Sequence, residues 1–247
     1  MFLNFIVKPY MIAYNAFQLY GWSIALFNFG KGIAASEFDV RASQWTGETA
    51  AYITFFQWLM LMEVVHPALG MVRGDPLTAL LQVLSRIMVV ILANVLGAPI
   101  LQDGFWVNCV IFAWSLTEVI RYSSYIASLL DVKIYVLTWL RYTLFIGLYP
   151  MGVSGELGVF AGAIPFLERL ENVKSIPSTY GGTQQWLVES GMYPFLLKIG
   201  WTGVIMMYVI GFPYLYLYMV MRRKSVLGGK KNKNGSKGGV SATKKTN

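Results

Sequence analysis

The sequence predicts an all-α integral membrane protein, a bundle of six transmembrane helices. Three observations lead there. Of 247 residues, 56% are hydrophobic and only 13% charged, with a mean hydropathy of +0.53; an ordinary soluble domain is roughly a quarter charged. The apolar residues collect into runs of about 20, the length that crosses ~30 Å of hydrocarbon as helix. The formal net charge of +8 is confined: nine basic residues and no acidic one lie between Arg222 and Asn247, which leaves residues 1–221 with 11 basic and 12 acidic groups. This balance excludes a disordered chain and a collagen. It also removes the nucleic-acid partner that a pI of about 9.5 suggests at first sight, because the surplus charge belongs to the tail.

A hydropathy window of about 19 residues places the spans at 10–29, 50–69, 77–97, 104–122, 134–154 and 195–221. The first, YMIAYNAFQLYGWSIALFNF, is interrupted by Asn15 and Gln18 and has no small-residue cleavage site behind it. It is therefore expected to stay as a span and not to be removed as a signal peptide. The second closes at Pro67 and Gly70, residues that ordinarily end helices. After the fifth, the stretch 156–194 opens on the apolar GVFAGAIPFL, which suits a re-entrant or interfacial segment. Its Glu168, Arg169, Glu171 and Lys174 then bring it to water. No repeat of fixed period appears. The chain thus divides into a membrane unit, 1–221, and a tail, 222–247, whose Gly, Lys, Ser and Asn cannot offset ordering entropy and predict disorder.

Six spans put both termini on one side. With them go the second and fourth loops, 13 basic residues in all, against four (Lys31, Arg41, Arg169, Lys174) on the other side. The excess predicts cytosolic termini.

Ionisable side chains inside spans are costly unless paired or wetted, so each marks a candidate site. They are Glu63 and His66, Arg86, Glu118 and Arg121, Arg141, and Lys198 near an interface. Gln82 and Arg86, four apart, share a helix face, as do Glu118 and Arg121, three apart. For any one of them, a structural ion pair that orients helices is the favoured reading. Glu63 and His66 have the Glu-x-x-His spacing of di-iron bundles, but such sites use the pair twice with further carboxylates, and His66 is the only histidine. That count also excludes a Ser-His-Asp or Cys-His triad, and the single Cys109 excludes an intrachain disulfide. The segment VHPALGMVR (Val65–Arg73) has the frame of a His-Cys-x5-Arg phosphatase loop with proline where the nucleophilic thiolate belongs, so it cannot hydrolyse phosphate by that route.

The richest segment is Arg141-YTLFIGL-Tyr149-Pro150-Met151-Gly152-Val153-Ser154-Gly155-Glu156. Seven residues are nearly two helical turns, so Tyr149 and Glu156 point the same way, ~10 Å apart along a straight helix. Pro150, Gly152 and Gly155 predict a bend or unwinding that draws the two together. A carboxylate in apolar surroundings makes a general base, and a phenol beside it exchanges protons. Spacing alone favours an interfacial Tyr149 and a solvated Glu156.

VHPALGMVRGDP, the Glu118-x-x-Arg121-Tyr122 turn, LTWLRYT and above all LYPMGVSGE resemble the 3-hydroxyacyl-CoA dehydratase family of very-long-chain fatty-acid elongation, also known as protein-tyrosine-phosphatase-like, most closely its plant Pasticcino-type members. The resemblance runs over residues 10–221. It implies a six-span endoplasmic-reticulum enzyme that removes water from a (3R)-3-hydroxyacyl-CoA to give the trans-2-enoyl-CoA. It implies no metal or redox cofactor, and it implies partnership with the condensing enzyme, the ketoacyl-CoA reductase and the enoyl-CoA reductase of the same cycle. Tyr149 and Glu156 fall on the family's catalytic positions, with either of them as the base. Arg141, Gly152, Glu63, Gln82, Arg86, Glu118 and Arg121 would shape or support the cavity. The fifth span then ends on the lumenal side while acyl-CoA is cytosolic, so the substrate is expected to reach deep into the bundle from the cytosol. Lys8, Arg73 and Lys133 are candidates to hold the CoA phosphates. Lys244 and Lys245 form a dilysine retrieval signal for the endoplasmic reticulum, and the same basic tail suits anionic lipid. The competing reading is a non-catalytic scaffold for elongation enzymes, followed by a channel or transporter.

Overall fold

The computed structural model describes residues 2–96, 104–172 and 192–227, and every regular element among them is helical. The helices are α1 (Phe2–Ala35), α2 (Gly47–Leu59), α3 (Met62–Ala68), α4 (Pro76–Leu96), α5 (Gly104–Leu129), α6 (Tyr135–Asn172) and α7 (Met192–Leu227). Among the described residues each predicted span falls on helix, the second being divided between α2 and α3 by a turn at 60–61. Two stretches, Pro76–Asn94 and Tyr135–Ala163, are long and apolar enough to cross a membrane by length and composition. On α4 the apolar character continues round the helix. Val83, Ile87 and Val90 face the core, while Leu77, Leu81 and Leu84 are exposed.

α1 packs on α2 and α5, α5 on α6, and α6 on both α4 and α7. The core is carried by Trp22, Ile53, Phe56, Val89, Val90, Val110, Ile111 and Phe160, all nearly sealed. Glycine permits the closest crossings. A Cβ on Gly155 would lie 2.9 Å from the Trp106 carbonyl oxygen and from Val110 Cγ2, and one on Gly158 would enter the Trp106 ring at 2.3 Å. At Gly152 the nearest atom is Ala113 Cβ at an ordinary 3.5 Å. Gly155→Ala is therefore expected to cost about 1–3 kcal/mol through overpacking, and Gly152→Ala far less. Thermal unfolding of the two detergent-solubilised variants checks the contrast.

These contacts change three expectations. α6 is not broken at Pro150 but runs as one helix past it to Asn172, so 156–172 continues the fifth span where a re-entrant or interfacial segment was expected. The proline removes one N–H from the ladder, and the Ile146 carbonyl it would have met faces the Tyr216 hydroxyl at 3.5 Å. The glycines serve the α5 contact and do not unwind the helix. Pro67 lies within α3; the stop is made by Gly70, at φ +70°, with the Met71 N–H donating to the His66 carbonyl at 2.9 Å. α7 continues to Leu227, so Arg222, Arg223 and Lys224 are helical where disorder was expected from residue 222. Lys244 and Lys245 lie outside the described residues, as does the Lys198 side chain.

α4 begins on a cap. Asp75 accepts from the Thr78 hydroxyl, from the Thr78 N–H at 3.0 Å and from the Leu77 N–H at 3.3 Å, with Pro76 at the first helical position. The hydroxyl bond first, then the amide bonds, hold its carboxyl below the usual carboxylate range. A depressed folded-state value stabilises above the unfolded value and is lost as pH falls through the folded one. Asp75→Ala should lower the thermal midpoint at pH 7, and its gap from the parent should close on acidification.

Candidate active site

Helix α6 brings the two residues of the sequence motif to one side, and α7 meets both. Tyr149 stacks on Phe212 with ring centroids 5.1 Å apart and planes at 15°, and lies 6.3 Å from Tyr216. Glu156, two turns on, is buried. The Tyr208 hydroxyl donates to its Oε2. Tyr208, Phe212 and Tyr216 are spaced by four on α7 and form one stripe that touches Glu156, Tyr149 and Phe145 in turn. No hydrogen bond joins Tyr149 to Glu156 among the described residues. The other carboxylate oxygen, Oε1, accepts from the indole Nε1 of Trp114 on α5 at 2.8 Å. A carboxylate in apolar surroundings is tolerated only with such donors, and each of its oxygens keeps a further lone pair for a substrate proton.

Beside it stands a half-buried charge network. Arg86 of α4 donates to Glu118 Oε1 at 2.5 Å, and Arg121 Nε donates to Glu118 Oε2 at 2.6 Å. The same guanidinium grips Glu63 of α3 with both Nη atoms, at 2.6 and 2.8 Å. Tyr122 also donates to Glu63. Two carboxylates and two guanidiniums thus neutralise one another across α3, α4 and α5. The Arg86 guanidinium lies 4.5 Å from the Trp114 ring centroid, in the range of a cation–π contact. Trp114 therefore touches the network with its ring and Glu156 with its N–H. His66, buried, shares a 2.8 Å hydrogen bond with the Tyr10 hydroxyl and meets Tyr14 edge-on.

Of the residues singled out in the sequence, Glu63, Arg86, Glu118 and Arg121 come together as this network. Gln82 does not join it: the ~40° drift between positions four apart carries it to the exposed edge of α4. Gly152 is buried against Ala113. Arg141 stands apart and lines, with Thr117, Arg121, Phe145, Leu148 and Met219, a cavity of about 130 Å³ between α5, α6 and α7. Lys8 is paired with Asp131 at 3.2 Å, so it is not a free cation. Sequence reasoning missed Trp114 and Tyr208. Trp114 stands four residues before Glu118 and shares its face, a signal available in the sequence. Tyr208 is one of several tyrosines on α7 and carried none. Removing either donor to Glu156 while keeping the ring, by Trp114→Phe or Tyr208→Phe, is expected to lower kcat about 10- to 100-fold with KM little changed. Steady-state kinetics checks this.

Residues 57–229 match the family described as "Protein tyrosine phosphatase-like protein, PTPLA". The chain is 36% identical over 234 residues to the very-long-chain (3R)-3-hydroxyacyl-CoA dehydratase hpo-8 of Caenorhabditis elegans, covering 90% of this chain and 96% of that protein. It is 33% identical over 224 residues to the human very-long-chain (3R)-3-hydroxyacyl-CoA dehydratase 2, covering 90% and 82%. It is also 33% identical over 231 residues to the dehydratase 1 of that name from Ovis aries, covering 92% and 74%. No solved structure matches. The charge network, Trp114, Tyr149, Glu156 and Tyr208 all lie within the matched residues, and the chain belongs to the protein tyrosine phosphatase-like PTPLA family, among relatives named very-long-chain (3R)-3-hydroxyacyl-CoA dehydratases.

Proposed function

We propose that the protein dehydrates a very-long-chain (3R)-3-hydroxyacyl-CoA to the trans-2-enoyl-CoA, with Glu156 as base and Tyr149 as acid. The observation that carries this reading is the buried Glu156 carboxylate, oriented by Trp114 and Tyr208 on the helix face that also presents Tyr149. The thioester acidifies the C2 hydrogen. Glu156 takes that proton, the C2–H electron pair becomes the C2=C3 double bond, and the C3–O bond breaks. The Tyr149 phenol protonates the departing hydroxyl, which leaves as water, and the proton on Glu156 returns to the phenolate through solvent. No electron acceptor enters the balance.

The same proposal includes a six-span bundle in the endoplasmic-reticulum membrane with both termini cytosolic, acting at the third step of the elongation cycle beside its condensing and reducing enzymes. The two membrane-length helices and the outward apolar face of α4 support the membrane setting. Purified full-length protein supplied with a long-chain (3R)-3-hydroxyacyl-CoA should form enoyl-CoA, followed by mass spectrometry, and should leave the (3S) epimer unchanged. A well-folded protein inert toward the (3R) substrate would favour the scaffold reading.

A further inference from the structure

α6 and α7 run antiparallel in a register set by Tyr149 on Phe212 and by Phe145 against Tyr216, the latter with centroids 5.9 Å apart. Four residues back along α6 match four forward along α7, so Arg141 comes level with Val220, one turn short of Arg223. Arg141 and Met219 indeed line the same cavity. Three arginines therefore gather at this end of the helix pair. The Arg141 guanidinium lies 5.0 and 5.9 Å from the Tyr125 and Tyr142 ring centroids, with no carboxylate partner among the described residues. Arg223 Nε is sealed from solvent without a hydrogen-bond partner. Arg222, exposed, donates to the Tyr218 hydroxyl at 3.1 Å. No Asp or Glu occurs between Asp131 and Glu156, or after Glu189. Unlike Arg86 and Arg121, these cations have no ion-pair partner among the described residues, and guanidinium forks beside aromatic faces are suited to phosphate.

We propose that this end of the α6/α7 pair binds the phosphates of the acyl-CoA's nucleotide through Arg141, Arg222 and Arg223. The apolar cavity below them takes the arm that leads to Tyr149 and Glu156. The assignment rests on the dehydratase reading. Arg141 to Glu156 spans about 22 Å of helix, an interval that suits an extended pantetheine arm. The mouth of the site is then at the end of α6 assigned to the cytosol, which reconciles a cytosolic substrate with a base deep in the bundle, and it replaces Lys8 as a phosphate ligand.

The test compares two esters of one 3-hydroxyacyl chain, on CoA and on pantetheine, which lacks the phosphates. Full-length protein is used in nanodiscs of neutral phosphatidylcholine. For Arg141→Gln and for the double variant Arg222→Gln/Arg223→Gln, KM for the CoA ester should rise about tenfold or more, with kcat within about twofold. For the Arg222→Gln/Arg223→Gln variant KM for the pantetheine ester should not move; for Arg141→Gln, whose side chain also lines the cavity for the arm, it should rise less than for the CoA ester, and Arg141→Lys should recover part of the loss. Unchanged KM values, or equal rises for both esters, overturn the assignment. So does an effect that appears only when phosphatidylserine is added, which would make lipid headgroups the anion. Should the parent protein turn over neither ester, the dehydratase reading falls, and calorimetric titration with CoA, which needs no turnover, decides the site. Binding weakened in the arginine variants supports it, and no binding by the parent overturns it.

Discussion

Glu156→Gln is expected to lower kcat by about 10²- to 10⁴-fold, the range that a positioned general base contributes, while the protein stays folded. The substitution keeps the side-chain shape, and an amide oxygen can still accept from Trp114 or Tyr208, whose bonds now hold the carboxylate. What disappears is the group proposed to take the C2 proton. Tyr149→Phe should fall in the same range, because the ring retains its stack on Phe212 and Tyr216 and only the phenolic proton is lost. The double variant should be little slower than the worse single one, since the proposed base and acid would act in one elimination and such losses are not additive. Kinetics on detergent-solubilised enzyme, with thermal midpoints as the control for folding, separates lost chemistry from lost structure. Equal, independent penalties that multiply in the double variant would count against a shared step.

Glu118→Ala is the substitution with the largest expected effect on stability, about 3–5 kcal/mol, the cost of breaking a buried ion pair by removing one partner. Glu118 is only 2% exposed and is the shared acceptor of Arg86 and Arg121. Its removal strands Arg86 with no carboxylate and leaves Arg121 only Glu63. Because Arg86 also rests on the Trp114 ring, the damage should reach Glu156 and reduce kcat as well. Replacing Arg86 and Glu118 together, by Met and Leu, should cost much less than the single change, because a buried pair exchanged for apolar groups of similar volume is often near neutral. Unfolding of the three proteins in one detergent measures the difference. A single variant no less stable than the double would show that the network carries no uncompensated charge.

The helices were legible because their apolar runs are long and separated by polar turns. Every predicted span lies on helix, although α1 begins at Phe2 and α6 runs on to Asn172, since hydropathy reads apolarity and helices extend beyond it. Pro150 does not unwind the helix, for a physical reason. A helix packed on both sides supplies another neighbour for the carbonyl that proline frees, here the Tyr216 hydroxyl, and sequence does not show that neighbour. The charge network was half legible. Local spacing paired Glu118 with Arg121 correctly, but Arg86–Glu118 and Glu63–Arg121 bridge different helices and depend on their rotation. Gln82 failed for the same reason. Tyr149 and Glu156 were singled out through their seven-residue spacing and the family motif, whereas the donors that orient the carboxylate come from α5 and α7, where only Trp114 had a periodic signal.

The central claim is that Glu156 and Tyr149 together carry out the elimination. It is tested most directly by mass-spectrometric measurement of trans-2-enoyl-CoA formed from a long-chain (3R)-3-hydroxyacyl-CoA by the purified Tyr149→Phe/Glu156→Gln protein beside its parent. The parent should give product and the double variant none above the uncatalysed background at an unchanged thermal midpoint; enoyl-CoA formed by the folded double variant at a rate near the parent's would rule out this pair as the site of elimination.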